Sequence, residues 1–313
     1  MSSTLTSIAT GGGRITSRSH GSEAVLSELV STYPLKLLSP RVQQDGVALV
    51  YILSYGGGLV GGDRVQLSVD VGTGTTLLLL TQGSTKVFKT RPSGRAAGRP
   101  KGPPIPGHES VTTTQIMDVE VSPDSALFLL PDPVTCFRSA SYNQIQTFRL
   151  SGNTSSIVLL DWVTSGRKAL GEDWVFSRYY SVNEVWLDGK RLARDALLLE
   201  NPVDDTATAT QQPTSSLKDR LSPYSCYATL FLYGPVVQNV IIDINAEYAK
   251  ISVFKTKTPA ELLWSVSPIS DGKGLIVRVA GKDREAVKGW LSQALKRLED
   301  IIGIDVYRRA FAG

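Results

Sequence analysis

Tyr55-Gly-Gly-Gly-Leu-Val-Gly-Gly-Asp63, followed directly by Arg64-Val-Gln-Leu-Ser-Val-Asp-Val71, is the stretch on which the fold turns. Five of the residues from 56 to 62 are glycine: Gly56, Gly57, Gly58, Gly61 and Gly62. Such density implies backbone at positive φ or in close approach to another segment, both closed to a side chain. Gly56-x-Gly58-x-x-Gly61 also fits the spacing of a dinucleotide-binding turn. That phosphate site needs a helix opening at the third glycine, so that free N–H groups and the helix dipole face the ligand. Here Val65, Leu67, Val69 and Val71 recur at every second residue, which is the period of a strand. The acid expected about 20 residues further on is also missing, because that region reads Leu80-Thr-Gln-Gly-Ser84. Gly83-Ser-Thr-Lys86 lacks the upstream glycine of a Walker A loop. The stretch reads as strand, glycine turn, strand.

Outward from it, alternating or β-branched runs predict strands at 47–54, 64–71, 75–80, 110–120, 126–130, 142–150, 157–163, 174–187 and 227–233. Gly72-Thr-Gly74, Ser122-Pro-Asp124, Ser151-Gly-Asn153 and Asp188-Gly189 punctuate them as turns. Helical spacing enters late. Val287, Trp290, Leu291, Ala294, Leu295, Leu298, Ile301 and Ile302 form one apolar stripe, with Asp283 placed as N-cap and Gly303 just past the end. A weaker helix is expected over 236–254 and a short helical turn over 259–264. Residues 1–22, rich in Ser, Thr and Gly, read as a disordered leader. Residues 23–313 read as a single β-rich domain with loop insertions at about 91–108 and 201–222.

Composition narrows the function. At 313 residues, with 42% hydrophobic and 20% charged residues, the chain can bury a large core. No apolar run approaches the ~18 residues of a membrane span, and no membrane partner is expected. Two cysteines, Cys136 and Cys226, read as partly buried thiols in a reducing compartment, so the cytoplasm is the expected location. Two histidines, His20 and His108, both fall in loop-like sequence. Histidine-based catalysis and His-ligated metal centres are therefore disfavoured, and no enzyme is expected. The six bases from Lys86 to Lys101 (Lys86, Lys89, Arg91, Arg95, Arg99, Lys101) have one aromatic among them, Phe88. Nucleic-acid binding calls for more stacking surface, so a solvated loop is the reading.

A second informative stretch is Leu160-Asp-Trp-Val-Thr-Ser-Gly-Arg-Lys-Ala-Leu-Gly-Glu-Asp-Trp-Val-Phe176. Asp161, Arg167 and Glu172 sit among apolar neighbours, where acids need partners or a function. They form either a structural ion network or part of a site. Leu130-Pro-Asp-Pro-Val134 places Asp132 in a rigid turn, and Thr81-Gln-Gly-Ser-Thr-Lys-Val-Phe88 follows an apolar strand with Gln82 and Lys86. No nucleophile elbow, carboxylate pair at helical spacing or Cys/His cluster is present in the sequence.

Taken in order, these four stretches resemble the urease accessory protein UreD (UreH) family. Its members carry GGG-[LIV]-x-x-GD, LTTQ-x-[AS]-TK-[VI]-[YF]-[KR], LP-x-P and LDW-x-x-x-GR-x-A-x-GE-x-W. Gln82-Gly-Ser84 and Ala169-Leu-Gly171 depart slightly from these patterns. The resemblance covers about residues 25 to 309. With it the expected fold is mainly β, a large multi-strand β-sheet or β-helix-like scaffold, with about two α-helices in the C-terminal third. The resemblance implies a protein that binds apo-urease with UreF-like and UreG-like partners and assists GTP-dependent nickel insertion. The resemblance also implies that no cofactor is permanently bound and that nickel passes in transit through the interior. Asp63, Asp161 and Glu172 are then candidates for the conduit, meeting nickel as oxygen ligands weak enough to release it. Gln82, Lys86, Arg167 and Gly171 count as motif residues. The alternative is a docking scaffold without a metal role.

Overall fold

The computed structural model of the chain describes residues 8–89, 112–202, 215–251 and 259–311. Its strands are β1 (Gly12–His20), β2 (Glu23–Ser31), β3 (Leu35–Leu38), β4 (Val47–Ser54), β5 (Arg64–Val71), β6 (Thr76–Leu80), β7 (Thr85–Val87), β8 (Thr113–Val121), β9 (Ala126–Leu129), β10 (Val134–Cys136), β11 (Ser141–Leu150), β12 (Ser156–Thr164), β13 (Arg178–Leu187), β14 (Lys190–Glu200), β15 (Cys226–Tyr233), β16 (Leu262–Ile269) and β17 (Gly274–Gly281). The helices are α1 (Leu217–Leu221), α2 (Gln238–Ala249), α3 (Arg284–Ala294), α4 (Glu299–Ile302) and α5 (Ile304–Phe311).

From β4 onward the chain crosses from one sheet to the other at almost every step. The strands of the second sheet, β4, β6, β9 and β12, pair in parallel in that order. Those of the first sheet, β5, β8, β11 and β13, do the same. The path β4–β5, β6–β8, β9–β11, β12–β13 therefore makes four circuits of a β-helix. Further strands extend it at both ends: before it, β1 pairs in parallel with β5, β2 antiparallel with β1 and β3 antiparallel with β4; after it come the antiparallel strands β14, β15, β17 and β16. The protein is mainly β, as the strand pattern implies.

Layering explains the two kinds of strand sequence. In β5, Val65, Leu67, Val69 and Val71 point to the second sheet and are buried, while Arg64 and Gln66 face solvent. The second sheet is covered on both faces. Leu77 and Leu79 join the core between the sheets, and Leu78 and Leu80 join a core under the C-terminal helices. A strand covered on both sides reads as an unbroken apolar run, and one covered on a single side alternates.

Some expectations need correction. The leader is not disordered from Gly12 on, because β1 lies inside the first sheet between β5 and β2. Of its inward residues Gly13, Ile15 and Ser17 only Ile15 is large and apolar, and a Cβ on Gly13 would fall 2.5 Å from Leu35 Cδ2, so the strand carries little apolar signal. The helical stripe is not one helix. It bends at Leu295, continues as a 3-10 turn over Lys296–Leu298 and resumes as α4, keeping Leu291, Leu295, Leu298 and Ile302 buried. Residues 262–264, expected to be helical, open the edge strand β16. Within the expected loop at 201–222, α1 forms behind a capping box of Ser216 and Asp219. Both cysteines are fully buried rather than partly so. The segment 91–108, residues 203–214 and the end of the 236–254 helix lie outside the described residues.

Candidate functional site

Four turns carry the chain from the second sheet back to the first, and they hold the four motifs. A short parallel ladder stacks them: Leu59 bridges Val87, β7 pairs with β10, and β10 pairs with the end of β12. The glycines serve this stacking. Gly56 (φ 74), Gly57 (φ 76) and Gly62 (φ 91) take positive φ. A Cβ on Gly58 would fall 2.5 Å from Phe88 Cε2 and 2.7 Å from the Lys86 carbonyl oxygen. No helix follows Gly61; β5 does. Asp132 ties the second and third motifs, accepting from the Gly83 amide at 3.0 Å while its own amide donates to Thr81 Oγ1 at 2.8 Å.

Side chains continue the stack. Phe88 meets Phe137 edge-on at 5.1 Å, and the Arg167 guanidinium lies 3.9 Å from the Phe137 ring centre. Arg167 donates through Nε and Nη2 to the two oxygens of buried Glu172, at 2.8 and 2.6 Å. Arg167 holds the Glu172 carboxyl below the ordinary range. Gly171 (φ 70) caps the 3-10 turn between these partners. Asp63 braces its own turn by accepting from the Val60 amide at 2.9 Å, and burial raises its carboxyl. Gln82 and Lys86 are exposed on the same edge.

Asp161 is placed differently. It shares one face of β12 with Ile157, Leu159 and Val163, the face toward the space between the sheets. Its carboxylate accepts from four uncharged donors: Ser181 Oγ (2.5 Å), Asn183 Nδ2 (2.7 Å), Gln144 Nε2 (3.1 Å) and Tyr179 OH (3.2 Å). Burial pushes its pKa above the ordinary value, against the pull of those bonds. The residue lies deep among protein atoms yet keeps accessible surface, because it lines a narrow cavity. The centre of a water-sized sphere has ≈ 10 Å³ there, room for about one water. Asn183 Oδ1 and Gln146 Oε1 are buried beside this network without a partner.

The structure thus brings Glu172 to Arg167, and leaves Asp63, Asp161 and Glu172 apart. Among the described residues no three His, Cys, Asp or Glu side chains converge on a metal-sized site. No described helix is long and apolar enough to cross a membrane. Sequence reading missed Gln144, Gln146, Tyr179, Ser181 and Asn183. Their signal was parity: each shares the face of a buried aromatic or aliphatic residue on β11 or β13.

Stacked turns over a two-sheet helix whose apolar interior holds one buried polar network define a β-helical scaffold. The family model described as UreD urease accessory protein matches residues 9–309. Urease accessory protein 4 of Cryptococcus neoformans is 35% identical over 91% of this chain and 89% of its own length. Urease accessory protein D of Arabidopsis thaliana is 32% identical over 93% and 97%. Urease accessory protein UreD of Sorangium cellulosum is 33% identical over 96% and 84%. The chain belongs to the UreD urease accessory protein family.

Proposed function

We propose that this chain binds urease apoprotein together with UreF-like and UreG-like accessory proteins and assists GTP-dependent insertion of nickel, in the cytoplasm and without catalysis of its own. Nickel is cargo that passes through the interior, and the chain holds no resident cofactor. The observation that carries the reading is Asp161, a carboxylate facing inward from an apolar strand onto a cavity and held by neutral donors alone. A divalent cation there meets one charge and several neutral oxygens, a set that binds without trapping. The three acids take different tasks in this reading. Asp161 meets the cargo, while Asp63 and Glu172 hold the turns at the motif edge.

The second reading is a docking scaffold without a metal role, favoured by the completeness of the Asp161 hydrogen bonds. Co-expression of the full chain or its Asp161→Asn variant with urease and the accessory proteins separates the two. Urease-bound nickel is measured beside a pull-down of the complex. Loss of nickel with an intact complex is expected; normal loading leaves the docking scaffold.

A further inference from the structure

Strand register places two polar rows opposite each other across the interior. On the second sheet, Asp161 is the direct partner of Thr229, and Thr229 of Arg278. On the first sheet, Gln146 is the partner of Asn183, and Asn183 of Asp195. Asp161, Asn183, Thr229 and Asp195 line one cavity. Two strand spacings, about 10 Å, separate Asp161 from Arg278. The row therefore runs sideways from the buried acid to the surface, across strands whose other inward residues are apolar, among them Phe231 and Ile276. Asn183 Oδ1, on a residue only 5% exposed, finds no partner within it.

At the outer end, Arg278 Nη2 and Asp195 Oδ1 meet at 2.6 Å, joining β17 of one sheet to β14 of the other. Their side chains are 51% and 20% exposed. With the guanidinium half exposed, the pair is weak and opens readily. When it opens, Asp195 faces the seam as a second carboxylate.

We propose that this seam is a lateral, cation-selective portal into the interior, and that Arg278 paired with Asp195 is its latch. The proposal rests on reading the interior as a passage, and adds a side mouth with the residue that controls it. Closed, the guanidinium fills the opening and neutralises Asp195. Open, two acids and an unpartnered amide oxygen line the way for a cation.

Cysteine accessibility in the full chain tests this without nickel. Thr229→Cys reports from the cavity, and Ala193→Cys reports from the opposite sheet should the first variant fail to fold. Both native cysteines are fully buried, so the unmodified chain sets the background. The probes are aminoethyl methanethiosulfonate, a cation, and sulfonatoethyl methanethiosulfonate, an anion. Adding Arg278→Ala should speed reaction with the cation about two- to fivefold, the range that loss of an exposed pair allows. The anion should gain less, and Asp195→Asn should remove the preference for the cation. Equal cation rates with and without Arg278, or equal gains for both reagents, overturn the portal. Because no metal enters the measurement, its failure leaves the Asp161 nickel test standing. Failure of that test would leave a cation portal without nickel as its cargo.

Discussion

Burial raises the carboxyl of Asp161, whereas Arg167 lowers that of Glu172, so acid should act on the two in opposite directions. The Glu172 carboxylate contributes stability above its unfolded value of 4.5, and that contribution is lost as pH falls through its lower folded value. Glu172→Gln should cost about 1–2 kcal/mol at neutral pH, with the deficit closing in acid. Asp161 carries the reverse sign. Its stabilising contribution is full below the unfolded 3.8 and is lost as pH rises through the raised folded value, so Asp161→Asn should gain on the natural chain over that rise. Denaturant unfolding of both variants from pH 3 to 8 reads the two trends, and parallel curves would refute the assignment. At this scale the sequence discloses acids in apolar surroundings. It does not disclose which one finds an arginine, because that depends on Phe137, contributed by a different turn, to carry the guanidinium.

Elements with strong periodicity were legible, and those defined by their neighbours were not. β4 and β5 fall on the expected residues, and Asp283 caps α3 by accepting from the Ala286 amide at 2.7 Å. The bend at Leu295 follows from no local signal, since Leu291, Leu295, Leu298 and Ile302 keep helical spacing through it. The bend turns the chain so that this stripe stays on a sheet whose strands twist beneath it. β16 is hidden at its start, because Leu262, Leu263 and Trp264 form an unbroken apolar run beside Pro259, a proline that suits a helix start equally well. Packing should then outweigh the cap in holding the C-terminal layer. Asp283→Ala is expected to cost about 1 kcal/mol and Leu291→Ala about 2–5 kcal/mol. Chemical denaturation checks the order, and a costlier cap would mean that the helix is held by its end.

Across the whole molecule, the β-helix leaves the first circuit in need of a neighbour, and β1 supplies it. Six register pairs, Gly12↔Gln66 to Ser17↔Val71, join β1 to β5, and β2 reaches the sheet only through β1. Ser17 Oγ meets Thr75 Oγ1 at 2.9 Å, tying the first sheet to the turn that enters β6. A chain shortened to residues 23–313 would expose Val65, Leu67 and Val69 along an open parallel edge and leave β2 unpaired. Ile15 is fully buried, and withdrawing such a side chain costs about 1.5–3 kcal/mol. The lost ladder adds to that cost, against a total stability on the order of 5–15 kcal/mol. The shortened chain should therefore be poorly soluble or melt well below the full chain, by yield and thermal unfolding followed by circular dichroism. An unchanged melting temperature would mean that β2 pairs with β5 directly once β1 is gone. That exchange requires β2 to seat the bulkier Leu26 or Leu29 where Gly13 of the parallel partner fits close against Leu35, which is why the loss of stability is expected instead.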